Sequence, residues 1–406
     1  MKTFSSKYLL VVWLLSFLVV FAEDWPHWRG PDRNGISKEK GWSESWPEAG
    51  PPIAWKGQVG TGYSSFAVAG GRVYTIGHAD GKDTIFCFDA AKGVRLWAHS
   101  YPSDLGDKYF EGGPTSTPAV DGNRLYVLSR WGDVFCLNAE SGKVLWHRNI
   151  QKETNARIPT WGFAGSPVIY KKLVLLNVGE GGTGLDKTTG ETVWTSGTKD
   201  AGYTTPVLAE HAGKKSLLLG NSTSYLAVDP ENGKEIWRFK WLTQYGVNAA
   251  DPVIAGDKVF ISSGYEKGGA LLKPGSGSEP QVLWKNNVLR TQMNPAVLVG
   301  EHLYGVDGDT SDKAVLKCVE LSTGKEIWMH PGTGSGGLIV VDGKILILTE
   351  RGKLMLAPAS PTGFAPIAQA QVLGGKSWTA PVLANGMVYC RNSRGDVVCV
   401  DLRKKS

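Results

Sequence analysis

One phrase recurs along most of this chain, and that repeat limits the fold more than any other feature. FDAAKGVRLW (88–97), LNAESGKVLW (137–146), LDKTTGETVW (185–194), VDPENGKEIW (228–237) and VELSTGKEIW (319–328) share an acidic or Asn position, a Gly and a closing Trp. QVLW, ending at Trp284, is a degenerate copy. Trp97, Trp146, Trp194, Trp237, Trp284 and Trp328 are thus spaced by 49, 48, 43, 47 and 44 residues. A period of that size marks a supersecondary unit that cannot bury its apolar face alone and must stack on its neighbours.

The units also begin alike, with TPAVDGNRLYVL (117–128), SPVIYKKLVLL (166–176), TPVLAEHAGKKSLLL (205–219), DPVIAGDKVFI (251–261), NPAVLVGEHLYGV (294–306) and APVLANGMVYC (380–390). Short β-branched runs broken by Asp-Gly, Asn-Gly or Gly-Asp read as strand, tight turn, strand. Each unit is then four antiparallel strands, an inner one after the Pro and an outer one ending at Trp, which is a propeller blade. The expected fold is all-β, an eight-bladed β-propeller. Eight blades require closure through the termini. The last unit, Ala380 to Leu402, has three strands, while Ile53 to Val59, with Trp55, is an outer strand lacking a unit of its own. Joining them leaves no open edge. The seventh unit lacks its Trp; PTGFAPIAQAQVL (361–373) keeps the Thr-Gly turn but has Ala and Gln where the ring would stand. The repeated tryptophans are read as structural, each indole covering bare Gly backbone between blades.

The N-terminus carries Lys2 and Lys7, an apolar run from Tyr8 to Phe21, then Ala22 ahead of Glu23-Asp24. This is the pattern of a secretory signal peptide cleaved near Ala22, and the run is short for a membrane span. A periplasmic or secreted protein is expected, with no transmembrane segment in the mature chain. Residues 23–52 form an aromatic-rich arm, 53–402 the propeller and 403–406 a basic tail. Trp25 and Trp28 in the arm argue against a flexible linker and for packing on the propeller. Loss of the leader lowers the net charge from +6 to +4, with no basic cluster beyond the tail, so nucleic acid is not an expected partner.

The Gly-Trp phrase resembles the tryptophan-docking motif of the pyrroloquinoline quinone (PQQ)-like propellers. DWPHWRGPDRNGIS (24–37), WGFAGSPV (161–168), MNPAVLVGEHLYGVDGD (293–309) and WTAPVLANGMVYCRNSRGDVVCVDL (378–402) resemble exported bacterial PQQ-binding-like repeat proteins, some labelled polyvinyl-alcohol-dehydrogenase-like. The resemblance implies one of two functions: a quinoprotein alcohol dehydrogenase holding PQQ and Ca²⁺ on the axis, or a BamB-type propeller that binds partners without a cofactor. Under the first, Glu180 in LLNVGEGGTGLDKTTG (175–190) and Asn221 in LLLGNSTSYLAVD (217–229) correspond to the metal-binding Glu and Asn, and Asp251 to the catalytic base. The adjacent Cys-Cys pair of many such enzymes is absent, and so are their roofing insertions.

The preferred expectation is therefore a non-catalytic scaffold binding a protein, a glycan or a small polar ligand through its funnel-face loops. Its candidate residues are Tyr63, Arg130, Trp131, Trp161, Tyr203, Asn248, Asn294, Asp307, Glu350, Trp378 and Arg391. The scattered histidines lack zinc-ligand spacing, and neither a GxSxG elbow nor a phosphate loop is present. Cys87, Cys136, Cys318 and Cys399 occupy one repeat position, two residues before the acidic or Asn site, and are expected to be buried. Cys390 is read as lying across a hairpin from Cys399, near enough for a bridge under favourable geometry, with five free thiols preferred.

Overall fold

The computed structural model describes residues 22–404, apart from 212, 276–278 and 310–312. All of the expected signal peptide except Ala22 lies outside the described residues. Eight antiparallel sheets of four strands follow one another along the chain. In blade 1 these are Ala67–Ala69, Arg72–Ala79, Lys82–Asp89 and Arg95–Pro102. The blade 2 strands are Ala119–Asp121, Arg124–Leu128, Asp133–Asn138 and Val144–Asn149. Apolar side chains from facing blades fuse into layers; Tyr126, Leu128 and Val134 of blade 2, for example, pack with Val174, Leu176 and Leu185 of blade 3.

The eighth blade is completed from the other end of the chain. Ile53–Gln58 pairs antiparallel with Asp396–Asp401 and sets Trp55 opposite Cys399. Arg391 stitches the same seam. Its buried guanidinium donates to the Ser64 and Ile76 carbonyls at 2.8 Å, to Thr75 Oγ1 at 3.1 Å and to the Gly60 carbonyl at 3.2 Å.

The repeated Gly and Trp meet between blades. Trp55, Trp97, Trp146, Trp194 and Trp284 lie over Gly93, Gly142, Gly190, Gly233 and Gly324 of the following blade, where a Cβ would sit 2.4 to 2.7 Å from the indole. These glycines also have φ near +70°, so both space and backbone demand Gly. Trp55, Trp97, Trp146, Trp194, Trp284 and Trp328 each donate Nε1–H to a carbonyl of the next blade at 2.7 to 3.2 Å.

The cysteines of the repeat lie in the same row. Cys87, Cys136, Cys318 and Cys399 pair with Tyr74, Tyr126, Tyr304 and Tyr389 on one side and with Trp97, Trp146, Trp328 and Trp55 on the other. Each Tyr and Trp ring pair sits 5.9 to 6.1 Å apart, leaving room for only a small side chain between them. The expected position of Cys390 is corrected. It pairs with Val398 while Cys399 pairs with Tyr389, so the one-residue offset turns the two thiols to opposite faces. All five cysteines are buried and free.

The N-terminal arm enters the axis of the ring. Trp25 bridges to Val68 on the inner strand of blade 1, and the Pro26 carbonyl accepts from Val120 on the inner strand of blade 2. Ile36–Ser37 then adds a parallel fifth strand beside Gly337–Val341, the inner strand of blade 7. Both ends of this excursion are tied to one inner turn: Asp24 accepts from the Asn385 side chain at 3.0 Å, and Glu39 accepts from the Asn385 and Gly386 amides. The arm is thus a plug that rises among the inner strands and returns. Among the described residues no helix is long and apolar enough to cross a membrane.

Candidate functional site

Above the plug, at the mouth where the inner strands begin, lies a cavity of about 290 Å³. Its floor is built by the residue before Pro in blades 2 to 5, Thr117, Ser166, Thr205 and Asp251, with Ser65, which precedes Phe66, in the equivalent place of blade 1. Ser65, Thr117, Ser166, Thr205 and Asp251 form a relay in which each backbone N–H donates to the side-chain oxygen one blade further on. The links are Ser65 to Thr117 (3.1 Å), Thr117 to Ser166 (2.9 Å), Ser166 to Thr205 (2.9 Å) and Thr205 to Asp251 (2.7 Å). A short polar side chain before Pro suits this place, because Pro forces extended backbone there and an unpaired buried N–H is costly.

Asp251 ends the relay and meets the arm. Its second carboxylate oxygen accepts from Trp28 Nε1 at 2.7 Å. Burial lifts the Asp251 carboxyl to about 6, against the Arg29 charge and the two hydrogen bonds, which lower it. Arg29 is itself buried in the plug and donates to the Asn34 and Ala296 carbonyls at 2.8 and 2.9 Å.

The walls are aromatic. Tyr63 stacks on Trp378 at 5.4 Å and lies 5.8 Å from Phe110. Trp161 stands 5.9 Å from Tyr203, edge to face, and 5.8 Å from Tyr109. With Trp28 and Tyr265, eight of the lining residues are aromatic. Partly buried hydrogen bonds hold several of them. Trp378 Nε1 donates to Glu350 at 3.0 Å, whose other oxygen accepts from the Ser335 amide; Asn294 donates to the Trp378 carbonyl at 2.8 Å; Thr379 donates to the Tyr63 carbonyl at 3.1 Å. Tyr63 donates to Glu111, which pairs with Lys376.

Of the residues singled out in the sequence, the cavity brings together Tyr63, Trp161, Tyr203, Asp251, Asn294 and Trp378. The others lie elsewhere. Arg130 is buried, donating to the Gly106 and Gly113 carbonyls and lying 4.9 Å from the Phe110 ring, so it props the loop that carries Tyr109 and Phe110. Trp131 donates to the Asp104 carbonyl. Asn248 Nδ2 donates to the Asn221 and Trp241 carbonyls, and its Oδ1 accepts from Ser263 Oγ. Asp307 is buried against Arg290 and Lys317, Glu350 positions Trp378, and Arg391 closes the seam. Trp28, Phe110, Thr117, Ser166, Thr205 and Gln292 were not singled out, although the polar-residue-before-Pro pattern marks three of them.

The residues do not fit the PQQ and Ca²⁺ site implied by the resemblance. Asn221 Oδ1 accepts from the Thr223 and Ser224 amides and from Ser224 Oγ, and its amide donates to the Glu180 carbonyl. The Glu180 carboxylate faces Arg238 at 3.5 Å and Lys199 at 3.9 Å. Neither residue lines the cavity, whereas Ca²⁺ needs six to eight converging oxygens. Among the described residues no three His, Cys, Asp or Glu cluster as metal ligands. PQQ is a polycarboxylate, and the described lining residues include no Lys, Arg or His.

Eight four-stranded blades, most of them joined by tryptophan docks, around a polar-floored, aromatic-walled funnel define a β-propeller of the PQQ-like repeat class. The chain belongs to the family described as outer membrane protein assembly factor BamB, whose family model matches residues 81–330, more than half its length. It is 23% identical over 380 residues to BamB of Yersinia pestis, covering 86% of this chain and 88% of that one. It is 29% identical over 157 residues to a quinoprotein ethanol dehydrogenase of Pseudomonas putida, a stretch covering 35% of this chain but only 24% of the enzyme. Among solved structures, BamB of Moraxella catarrhalis superposes with a TM-score of 0.63 at 15% identity, covering 86% of this chain and 99% of that one. A quinohemoprotein alcohol dehydrogenase of Pseudomonas putida superposes at 0.71 with 12% identity, covering 94% of this chain and 81% of that one. At these identities the superpositions establish the fold alone.

Proposed function

We propose that this protein is an exported, non-catalytic binding propeller that holds a ligand, or a small group of a partner, in its funnel cavity. The carrying observation is a preformed cavity whose walls are aromatic and whose single carboxylate, Asp251, already accepts hydrogen bonds on both oxygens. A general base for alcohol oxidation must reach the proton it removes, and Asp251 is held instead by the Thr205 amide and the arm. Export, with leader cleavage near Ala22, accords with a family named for outer-membrane assembly. The test is titration of the mature protein with PQQ and Ca²⁺, read by absorbance, followed by dye-linked oxidation of alcohols. No saturable cofactor binding and no turnover are expected; cofactor binding with turnover overturns the proposal in favour of a quinoprotein dehydrogenase.

A further inference from the structure

We infer that the funnel cavity is a carbohydrate site that seats one or two uncharged sugar rings. This inference rests on the binding reading above and narrows it to one class of ligand. Three observations point the same way. The first is charge. Among the described lining residues Asp251 is the only ionisable acid or base in the neutral range, and its charge is answered from below by Arg29. Among these residues an anionic ligand finds no cation, Lys376 over the Trp378 ring being paired with Glu111, and a cationic one finds no carboxylate oxygen that is not already hydrogen-bonded. The ligand that fits is uncharged.

The second is the mixture of surfaces. Flat aromatic groups such as Trp161 and Trp378 alternate with short hydroxyl and amide side chains such as Thr117, Thr205, Gln292 and Asn294. Thr115 Oγ1, in the same lining, is buried and has no hydrogen-bond partner among the described residues, so a wholly apolar ligand would leave it unsatisfied, and each buried unpaired group is costly. A pyranose ring meets both demands: its C–H faces lie on aromatic rings, and its hydroxyls project from the ring edge to donors and acceptors. The third is size. Ligand pockets span about 300 to 1,000 Å³, so a cavity of about 290 Å³ lies at the small end and has room for one or two rings. Because Trp28 of the arm closes its floor, the sugar enters end-on from the funnel mouth, as the terminus of a longer glycan can.

The experiment is calorimetric titration of the mature protein with glucose, N-acetylglucosamine, cellotriose and chitotriose, with intrinsic tryptophan fluorescence recorded in parallel. Tetramethylammonium and a proline-rich peptide serve as a cation and a neutral peptide probe. Saturable binding of at least one sugar is expected, with a change in tryptophan emission. Trp161→Ala or Trp378→Ala should weaken that binding about tenfold or more, the scale of a lost stacking contact. Trp161→Phe and Trp378→Phe, which keep a ring, stand in if the alanine variants do not fold, and should weaken binding less. If no sugar binds at millimolar concentration while either other probe does, the sugar assignment falls and the binding reading stands. If no probe in the panel binds, both fall. Sugar binding that is indifferent to all four substitutions also removes this cavity as the site.

Discussion

The perimeter and the axis of this propeller are built on opposite plans. At the perimeter one device recurs from blade to blade, an indole laid on the next blade's glycine with its N–H on the next blade's carbonyl. At the axis nothing repeats in full. A relay of four hydrogen bonds spans blades 1 to 5 and stops at an acid, and a plug from the N-terminal arm makes contacts that occur once each. Repetition gives the perimeter uniform strength, while irregularity gives the axis a cavity with a particular shape. The same scaffold can therefore be stable in one place and specific in the other.

The largest effect that would test this contrast is at the seam. Deleting residues 53–58 removes the outer strand of blade 8 and the Trp55 dock, leaving two unlike edges where the ring had closed. We expect loss of cooperative unfolding in a calorimetric scan; a sharp transition at the parental temperature would show that closure contributes nothing. Next come single docks. Trp97→Ala and Trp146→Ala, at half-buried docks, and Trp194→Ala, at a buried one, should each cost about 2 to 4 kcal/mol in denaturant titrations, at or below the range for a fully buried aromatic cut to Ala. Uniformity is the point here: costs scattered over several kcal/mol would mean that the blades are not equivalent.

A smaller effect comes from the axis and depends on pH. Burial raises the folded-state pKa of Asp251 to about 6. The folded protein therefore favours the protonated acid, and the stability this lends is complete below about pH 4, the unfolded value, and is lost as pH rises through about 6. The swing is about 2 to 3 kcal/mol. His27 tilts the other way, since burial lowers its pKa to about 3, so the informative quantity is parent minus Asp251→Asn. That difference should shrink between pH 4 and pH 7, and parallel profiles would acquit Asp251. The smallest expected effect is none. Reductant should leave the melting temperature unchanged, and unfolded, unreduced protein should titrate five thiols, because the row of Tyr, Cys and Trp needs a small side chain rather than a bridge. Three thiols would show that one bridge had formed.

The same contrast explains what could be read from the chain. The Gly-Trp spacing identified the blades, the docking and the closing strand because a contact made in every blade leaves a periodic trace. Tyr63, Trp161, Tyr203 and Trp378 were legible as aromatics in loops entering inner strands. Arg130, Asn248, Asp307 and Arg391 were not legible as structural, since a polar residue at a hairpin end looks the same whether it faces solvent or is buried against carbonyls. Trp28 was unreadable as part of the cavity. It lies 223 positions from the acid it bonds, and only three-dimensional closure brings them together. Cys390 failed by a single residue of register, which flips a side chain across a sheet.

The closing strand also fixes an order of events. Gln58 and Asp396, partners across the seam, are 338 residues apart, so the first blade strand in the chain pairs with the last. Until residues 396–401 join it, strand 53–58 is an unmated edge. Long-range pairings of this kind are slow to form and vulnerable to the wrong partner while they wait. The arm meets that same end of the chain, since the Ser43 amide donates to the Leu402 carbonyl and Trp42 bridges to Arg403, so ring and arm are both completed only when residues 396–403 are in place.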